Sequence, residues 1–190
     1  MPTPSRTSVE AIVAAARALV TAGGVDALTM QAVAEKVGVR APSLYKRVPG
    51  RSALLRLVVD DALGELGTAM DAAAHTGDAA GDLRALATEF RAFAHAQPNL
   101  FGLLFVSAAD SAAPDIDLLA RASSPVIRTA ERLAGPDDAL PAARTITAWA
   151  VGFVQMELAG AFQLGGDVQE AFDYGIDRLA VALATTTVRT

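Results

Sequence analysis

The stretch from Leu28 to Leu55, LTMQAVAEKVGVRAPSLYKRVPGRSALL, decides the organisation of the chain because it reads as two short helices joined by a tight turn and followed by a third helix. Apolar residues recur at helical spacing in its first half, and Gly38 ends that helix at a point that suits positive φ. Pro42 suits the first turn of the next helix. The stretch therefore predicts a helix, a turn and a second helix.

The second helix of this pair is expected to be about two turns long, so it needs packing against its neighbours to be stable. Leu44 is its one buried-type residue, whereas Ser43, Tyr45, Lys46 and Arg47 form a polar and basic outward face. Such a face suits DNA phosphates and base edges. The pattern favours a DNA-reading head over two helices of an ordinary bundle that happen to turn at a glycine.

The charges of the chain are unevenly distributed. Residues 1–60 carry eight Lys or Arg against four Asp or Glu, a net charge of +4, which leaves −9 for the rest of a chain whose net charge is −5. A basic head and an acidic body would favour DNA binding through the head alone.

The residue types present exclude several kinds of site. The sequence contains no cysteine, and His75 and His95 lack the spacing of metal ligands, so we expect no metal and no cofactor. The N-terminus lacks an apolar signal core, and the longest uncharged run is interrupted by Gln97, Pro98 and Asn99. We therefore expect a cytoplasmic protein that has no membrane partner.

Capping and apolar patterns predict helices along the rest of the chain. Thr7 and Glu10 form a capping box for a first helix that ends at Gly23–Gly24. Residues 1–6 read as a loose tail, or alternatively as a minor-groove arm through Arg6. Further helices are predicted over 51–74, 82–97, 116–133, 139–164 and 168–185, and a short helix or turn over 100–105. The first of these is the one continuous element that connects the head with the body.

The last helix carries apolar residues at spacings of four, three and four, namely Phe172, Ile176, Leu179 and Leu183. Such a seam is typical of helices that pair closely. Together with the preceding helix it predicts a four-helix interface with a second copy of the chain. The alternative, that these residues form only the internal core, stays open.

The ordered matches across residues 8–58 closely resemble the DNA-binding domain of tetracycline-repressor-like (TetR family) transcriptional regulators. The most specific matches are Leu28-Thr29, Ala34, Gly38-Val39, Pro42, Leu44-Tyr45, Gly50-Arg51 and Leu54-Leu55. The resemblance implies an all-α protein with a three-helix helix-turn-helix domain (1–58) and a helical ligand-binding and dimerisation domain (59–190) that dimerises through its last two helices. It also implies a homodimeric repressor that a small molecule releases from a palindromic double-stranded DNA operator.

The resemblance assigns roles by position. Positions that face bases or flanking backbone are Gln31, Ala41, Pro42, Tyr45 and Lys46, and positions that face phosphates are Thr29, Ser43 and Arg51. Three residues depart from the family pattern: Arg40 stands where a capping residue such as Ser is common, Arg47 replaces a usual His, and Val48 replaces a usual Phe. We expect Arg40 and Arg47 to raise general affinity for DNA, and the lost cap and smaller Val48 to loosen the reading helix.

The segments AHAQPNLFGLLF and AWAVGFVQMELAGAF resemble the body of the TetR branch that carries the WHG domain. Gly152 and Glu157 match that pattern, whereas Val151 stands where a His is usual. Candidates to line an effector pocket are Phe90, Phe93, Phe101, Phe105, Trp149, Phe153 and Met156, with Gln155 or Glu157 as a polar anchor. Such an aromatic set could equally be plain core, and the effector is unknown.

Two other functions compete with that of a DNA-binding regulator. An enzyme would need a nucleophile, metal or phosphate-loop motif, and the charges that could form a polar site, Glu89, Arg91 and Glu157, are more typical of solvated or paired helix residues. We therefore expect no enzymatic activity. A helical protein-interaction module would not need the basic face at residues 45–47.

Overall fold

The computed structural model describes residues 8–105 and 114–184, and these residues form nine α-helices, one 3₁₀ turn and no strand. The helices are α1 (Val9–Gly23), α2 (Met30–Val37), α3 (Ala41–Tyr45), α4 (Arg51–Ala73), α5 (Ala79–Ala96), α6 (Pro98–Phe105), α7 (Ile116–Ala134), α8 (Ala139–Leu158) and α9 (Val168–Ala184), with the 3₁₀ turn at Val25–Ala27. The all-α prediction is confirmed. In the described part of the chain, no helix combines the length and the apolar character that crossing a bilayer requires.

The first helix begins one residue later than its capping pattern predicted. Ser8 is the N-cap, and its hydroxyl oxygen accepts a hydrogen bond from the Ala11 N–H at 3.2 Å. The assignment of Thr7 as the cap was therefore wrong, because Ser8 has the extended backbone that a capping residue needs. The end at Gly24 is confirmed. The tail with Arg6 lies outside the described residues.

Three further boundaries differ from the predictions, and one of them is the start of α6, which lies at Pro98 rather than at Leu100. Helix α8 ends at Leu158 rather than at Leu164, because Gly160 adopts a φ of +64° and turns the backbone out of the helix. Helix α5 begins at Ala79, three residues before the predicted start at Asp82. The buried Asp82 carboxylate accepts hydrogen bonds from the Thr76 N–H at 2.7 Å and hydroxyl at 2.8 Å, which fixes the turn before α5.

The helices form two compact units, and the boundary between the units falls within α4. One unit comprises Met1–Glu65 with Gln97–Leu119, and the other comprises Leu66–Ala96 with Ala120–Thr190. In the first, α1 packs against α2 and α6, and α2 packs against α3. In the second, α5, α8 and α9 pack against one another. Each unit has its own buried apolar core, as a stable compact unit requires.

The seam on α9 belongs in part to the core of its own protomer. Phe172 and Ile176 are only 2% and 1% exposed, and Leu179 and Leu183 are half-buried. The prediction that this seam buries against a second copy was therefore wrong for Phe172 and Ile176. Spacings of four and three identify an apolar stripe but do not say which neighbour covers it. The large exposed apolar residues of α9 are Tyr174 and Val181.

Candidate nucleic-acid interface and body site

Both ends of α2 are fixed by local hydrogen bonds that the sequence pattern predicted. Thr29 is the N-cap, and its Oγ1 accepts from the Ala32 N–H at 3.0 Å. Gly38 ends the helix with a φ of +77°, and its N–H donates to the carbonyl oxygen of Ala34 at 2.9 Å. This positive φ turns the chain toward α3, as in a helix-turn-helix.

The short helix α3 is anchored from one side. Leu44 and Val48 are both buried, and the Val48 N–H donates to the carbonyl oxygen of Leu44 at 2.8 Å. Val48 therefore occupies a core position although it is smaller than the usual Phe. The Arg40 side chain makes no hydrogen bond to the first turn of α3, all of which lies within the described residues.

The opposite side of α3 is open to solvent. Tyr45 is 53% exposed, and the cationic side chains of Arg40, Lys46 and Arg47 are exposed beside it. Of the remaining residues predicted to bind DNA, Thr29, Gln31 and Pro42 are exposed and Ala41, Ser43 and Arg51 are half-buried. The structure thus places all ten on α2, on α3, in the segments that flank these two helices, or at the first position of α4. The Gln31 side-chain amide donates to Glu35 at 2.7 Å, one turn further along α2.

Arg51, the first residue of α4, makes contacts that its sequence position did not suggest. Its Nε–H donates to the carbonyl oxygen of Leu28 at 2.8 Å, and its terminal nitrogen donates to that of Val25 at 2.9 Å. Sequence reasoning missed these bonds because the two carbonyls lie 23 and 26 positions before Arg51 in the chain, which is too far for any local pattern to connect them. Its predicted phosphate contact stays a prediction.

A second polar network joins α1 to α4 and to the start of α6. Arg17 pairs with Asp61 at 2.7 Å, pairs with Glu65, and donates to the Gln97 side-chain oxygen at 2.7 Å. Partial burial works against the charge of Arg17, but these two carboxylates raise its pKa. The Asn99 amide donates to the carbonyl oxygen of Thr21 at 3.0 Å. The support beneath the reading helices is therefore polar as well as apolar.

In the body, aromatic rings gather where α8 meets α9. The centroid of Trp149 lies 5.3 Å from those of Phe153 and Phe172, and that of Phe153 lies 4.8 Å from that of Phe162. The two helices approach closely at Gly175, where an added Cβ atom would lie only 2.2 Å from the Trp149 ring. Only Trp149 and Phe153 of this cluster were predicted to line a pocket.

The other predicted pocket residues lie elsewhere. Phe90 and Phe93 are buried on α5, and Met156 is exposed near the end of α8. Phe101 and Phe105, whose ring centroids are 5.2 Å apart, belong to the compact unit that contains α1. The predicted set is thus divided between the two units.

Glu157, the predicted polar anchor, is held by Arg91 from α5. The Arg91 Nε–H donates to Glu157 Oε2 at 2.8 Å, and a second guanidinium nitrogen pairs with Oε1. His95 Nε2 lies 3.2 Å from the same carboxylate. The Arg91 hydrogen bonds lower the pKa of Glu157, and His95 adds to the effect, although burial opposes it. Glu157 is therefore a paired carboxylate.

A groove of about 360 Å³ opens beside this pair. It is lined by Thr88, Arg91, Ala92, His95, Gln169 and Phe172. The Arg91 guanidinium lies 4.9 Å from the Phe172 ring centroid, so charged, polar and aromatic groups share the groove. Within the ranges that the structure describes, no cluster of His, Asp or Glu could hold a metal ion.

Two family models match the sequence. Residues 12–58 match a model described as bacterial regulatory proteins of the tetR family, and residues 83–179 match a tetracyclin repressor-like C-terminal domain. No curated protein sequence matches the chain significantly.

Solved structures share the fold at low sequence identity. A protein of unknown function from Rhodococcus sp. RHA1 is 23% identical with a TM-score of 0.80, covering 96% of this chain and 97% of that one. A TetR transcriptional regulator from Streptomyces coelicolor is 20% identical with a TM-score of 0.72, covering 93% and 97%. A TetR variant from Acinetobacter baumannii AYE, in complex with minocycline, is 23% identical with a TM-score of 0.69, covering 92% and 95%.

Proposed function

Since this chain belongs to the tetR family of bacterial transcriptional regulators, we propose that it is a homodimeric repressor that a small molecule releases from a palindromic operator. The observation that carries the DNA-binding part is the exposed basic surface at the two ends of α3, formed by Arg40, Lys46 and Arg47, with Leu44 and Val48 buried on the opposite side. We propose residues 1–58 as the DNA-binding domain and residues 59–190 as the ligand-binding and dimerisation domain. The proposed repressor would act in the cytoplasm, where a bacterial operator lies.

The proposed contacts divide into those that position the protein and those that read bases. Lys46 has the reach to bond the N7 and O6 acceptors of a guanine, whereas Ala41 and Pro42 are suited to contact a thymine methyl group. Thr29, Ser43 and Arg47 are suited to phosphates, and Gln31, Arg40 and Tyr45 to bases or flanking backbone. In the alternative assignment, Lys46 is one more phosphate contact.

The proposed dimer interface uses the outer surfaces of α8 and α9. Tyr174 and Val181 are exposed on α9, and Met156, Leu158 and Phe162 are exposed at and beyond the end of α8. Exposed apolar residues of this size, on neighbouring helices, favour a protein interface. In a twofold dimer, each copy would bury these same residues against the corresponding surface of the other copy.

The proposed effector site lies in the unit that contains α5, α8 and α9, and its residues are Phe90, Phe93, Trp149, Phe153, Met156 and Glu157; Phe101 and Phe105, which were also named from the sequence, lie in the other unit and are left out of it. The Acinetobacter baumannii TetR variant was solved in complex with minocycline, which is a ligand of that protein. For this chain, the aromatic cluster at Trp149 and the polar pair of Arg91 and Glu157 favour an aromatic ligand that carries polar groups. Such a ligand acts as an inducer only if it prefers a conformation that binds DNA poorly. Helix α4 is the continuous element able to transmit that preference.

Selection of DNA from a random duplex library with the purified full-length protein tests the proposal. We expect an inverted repeat, and we expect the logarithm of the affinity for it to fall linearly with the logarithm of the salt concentration. A protein that retains no duplex at low salt would contradict the proposal and favour a helical protein-interaction module. Hydrolysis or transfer of a test substrate by the same preparation would favour an enzyme.

A further inference from the structure

The side chain of Arg51 joins the two ends of the helix-turn-helix. The segment begins after Leu28, where Thr29 caps α2, and it ends at Gly50, immediately before α4. From the first position of α4, the Arg51 guanidinium donates to the carbonyl oxygens of Val25 and Leu28 at 2.9 and 2.8 Å. We call this pair of hydrogen bonds the Arg51 bridge. It closes a loop that contains all of α2 and α3.

The carbonyls in the bridge lie directly before the first turn of α2. Leu28 is fully buried, and the Val25 carbonyl also accepts from the Leu28 N–H at 3.1 Å. Thr29 follows, and its carbonyl accepts from the Val33 N–H at 3.1 Å as α2 begins. The orientation of the peptide group between residues 28 and 29 therefore sets where the first turn of α2 points.

A guanidinium suits this bridge better than an ammonium group would. Its donors diverge from a rigid plane, so Nε and a terminal nitrogen reach two carbonyls at once, whereas lysine offers a single nitrogen on a flexible stem. Hydrogen bonds from a charged donor are also stronger than neutral ones. The half-buried position of Arg51 limits the competition from water.

We propose that Arg51 is a positioning residue, which serves DNA binding by holding the start of α2 against the start of α4 rather than by contacting a phosphate. The inference rests on the proposed function, since DNA binding is the step that it serves. Because the start of α2 is already ordered in the free protein, DNA binding does not have to order it. The loss of conformational entropy that such ordering involves would otherwise reduce the affinity for DNA.

The variant Arg51→Lys separates positioning from phosphate contact because it keeps the positive charge but removes the planar guanidinium that bonds both carbonyls. We expect Arg51→Lys to bind the selected inverted repeat about tenfold or more weakly, with an unchanged slope of log affinity against log salt. Arg51→Ala should lose affinity similarly, also at an unchanged slope. The matched control is Arg56→Lys, at an exposed position on the same helix outside the proposed DNA contacts, which should bind like the wild type. Wild-type affinity for Arg51→Lys, with a slope reduced by about one per protomer for Arg51→Ala, would overturn the proposal.

A measurement on the unmodified protein covers the case in which an Arg51 variant does not fold. Nuclear magnetic resonance of the free wild-type protein should show slow solvent exchange of the Arg51 Nε–H relative to that of Arg40. Equal exchange rates for the two groups would overturn the bridge. If the wild-type protein bound no duplex, the proposed function would fail, and the exchange measurement would still decide whether the bridge exists in the free head.

Discussion

Helices α3 and α9 are built alike on their inner sides and differently on their outer sides. Each buries apolar side chains in its own unit, Leu44 on α3 and Phe172 with Ile176 on α9. Outward, the chain presents Lys46 and Arg47 directly after α3, whereas α9 presents Tyr174 at 66% and Val181 at 60% exposure. An exposed cationic face suits a polyanion, and an exposed apolar face suits another protein surface. The outer residues therefore distinguish the proposed DNA-binding helix from the proposed dimerisation helix, whereas the buried residues do not.

The starts of the two helices differ in the same sense. Asp167 caps α9, because its Oδ1 accepts from the Gln169 N–H at 2.7 Å and from the Glu170 N–H at 3.3 Å. The corresponding position before α3 is Arg40, which has no capping oxygen. At α9 this position serves helix stability, whereas at α3 it adds positive charge to the proposed DNA face.

The largest effect is expected from a charge on the outer side of α9. Val181→Asp should convert the dimer to a monomer, since each buried charge costs several kcal/mol and a twofold interface contains it twice. Light scattering at micromolar concentration measures this. Val181 is a better test position than Leu179, which is half-buried within the protomer. The control is Ala72→Asp, at an exposed position on α4, and a dimeric Val181→Asp protein would count against the interface.

A smaller effect, on the free energy of unfolding, is expected from the Glu157 carboxylate on α8, which Arg91 of α5 bonds. Arg91 holds the pKa of Glu157 below the usual value of 4.5, so its contribution to stability is present above that value and is lost as the pH falls through the lowered pKa. Glu157→Gln should reduce the free energy of unfolding at pH 7 by about 2 kcal/mol and should flatten its acid dependence. Urea titrations followed by Trp149 fluorescence measure both quantities.

Glu89→Gln is the matched control for that measurement, because Glu89 is an exposed carboxylate on α5. Its stability should remain within about 0.5 kcal/mol of the wild type. Equal stability of Glu157→Gln and Glu89→Gln at pH 7 would show that the Arg91 pair does not hold α8 to α5.

At the end of α3, Lys46→Ala should cost roughly 1 to 3 kcal/mol at one base pair in each half-site, because Lys46 is proposed to bond a guanine. Competition among half-site variants of the selected operator measures this preference. The control is Lys36→Ala, at an exposed position in the last turn of α2. An equal loss for every half-site variant would make Lys46 a phosphate contact and leave specificity to Gln31, Arg40 or DNA shape.

The smallest effect is expected at the start of α3. Arg40→Ser should raise stability by about 0.5 to 1 kcal/mol, because it supplies the missing cap, and should weaken DNA binding, because it removes a cation. Thermal unfolding and duplex titration measure the two changes. Arg40→Ala removes the charge without adding a cap, so it should weaken binding without the gain in stability. Higher affinity for Arg40→Ser would contradict the role given to this charge.

Sequence reasoning succeeded where local chemistry determines structure. Thr29 and Gly38 fixed both ends of α2, because a capping hydroxyl and a glycine with positive φ act within one turn. It failed where distant residues decide. The spacing of Phe172 and Ile176 identified a stripe but not the neighbour that covers it, and the carbonyl partners of Arg51 are too far along the chain for any local pattern to reveal.

The same limit applies to the body site. Aromatic spacing placed Trp149 and Phe153 together, because they lie one turn apart on α8. It also grouped Phe101 and Phe105 with them, although those residues belong to the other compact unit. Residues on different helices come together through packing, which is set by the whole chain rather than by the spacing within a single helix.

The most direct test of the contrast between α3 and α9 is the mass of the complex with the selected inverted-repeat duplex, measured by sedimentation at two salt concentrations. A cationic reading helix and an apolar dimer interface together predict two protomers on each duplex at low salt. At the higher salt concentration they predict a free dimer, since salt weakens phosphate contacts but not apolar burial. A complex with one protomer per duplex, or a dimer that dissociates with the DNA as salt rises, would contradict the account.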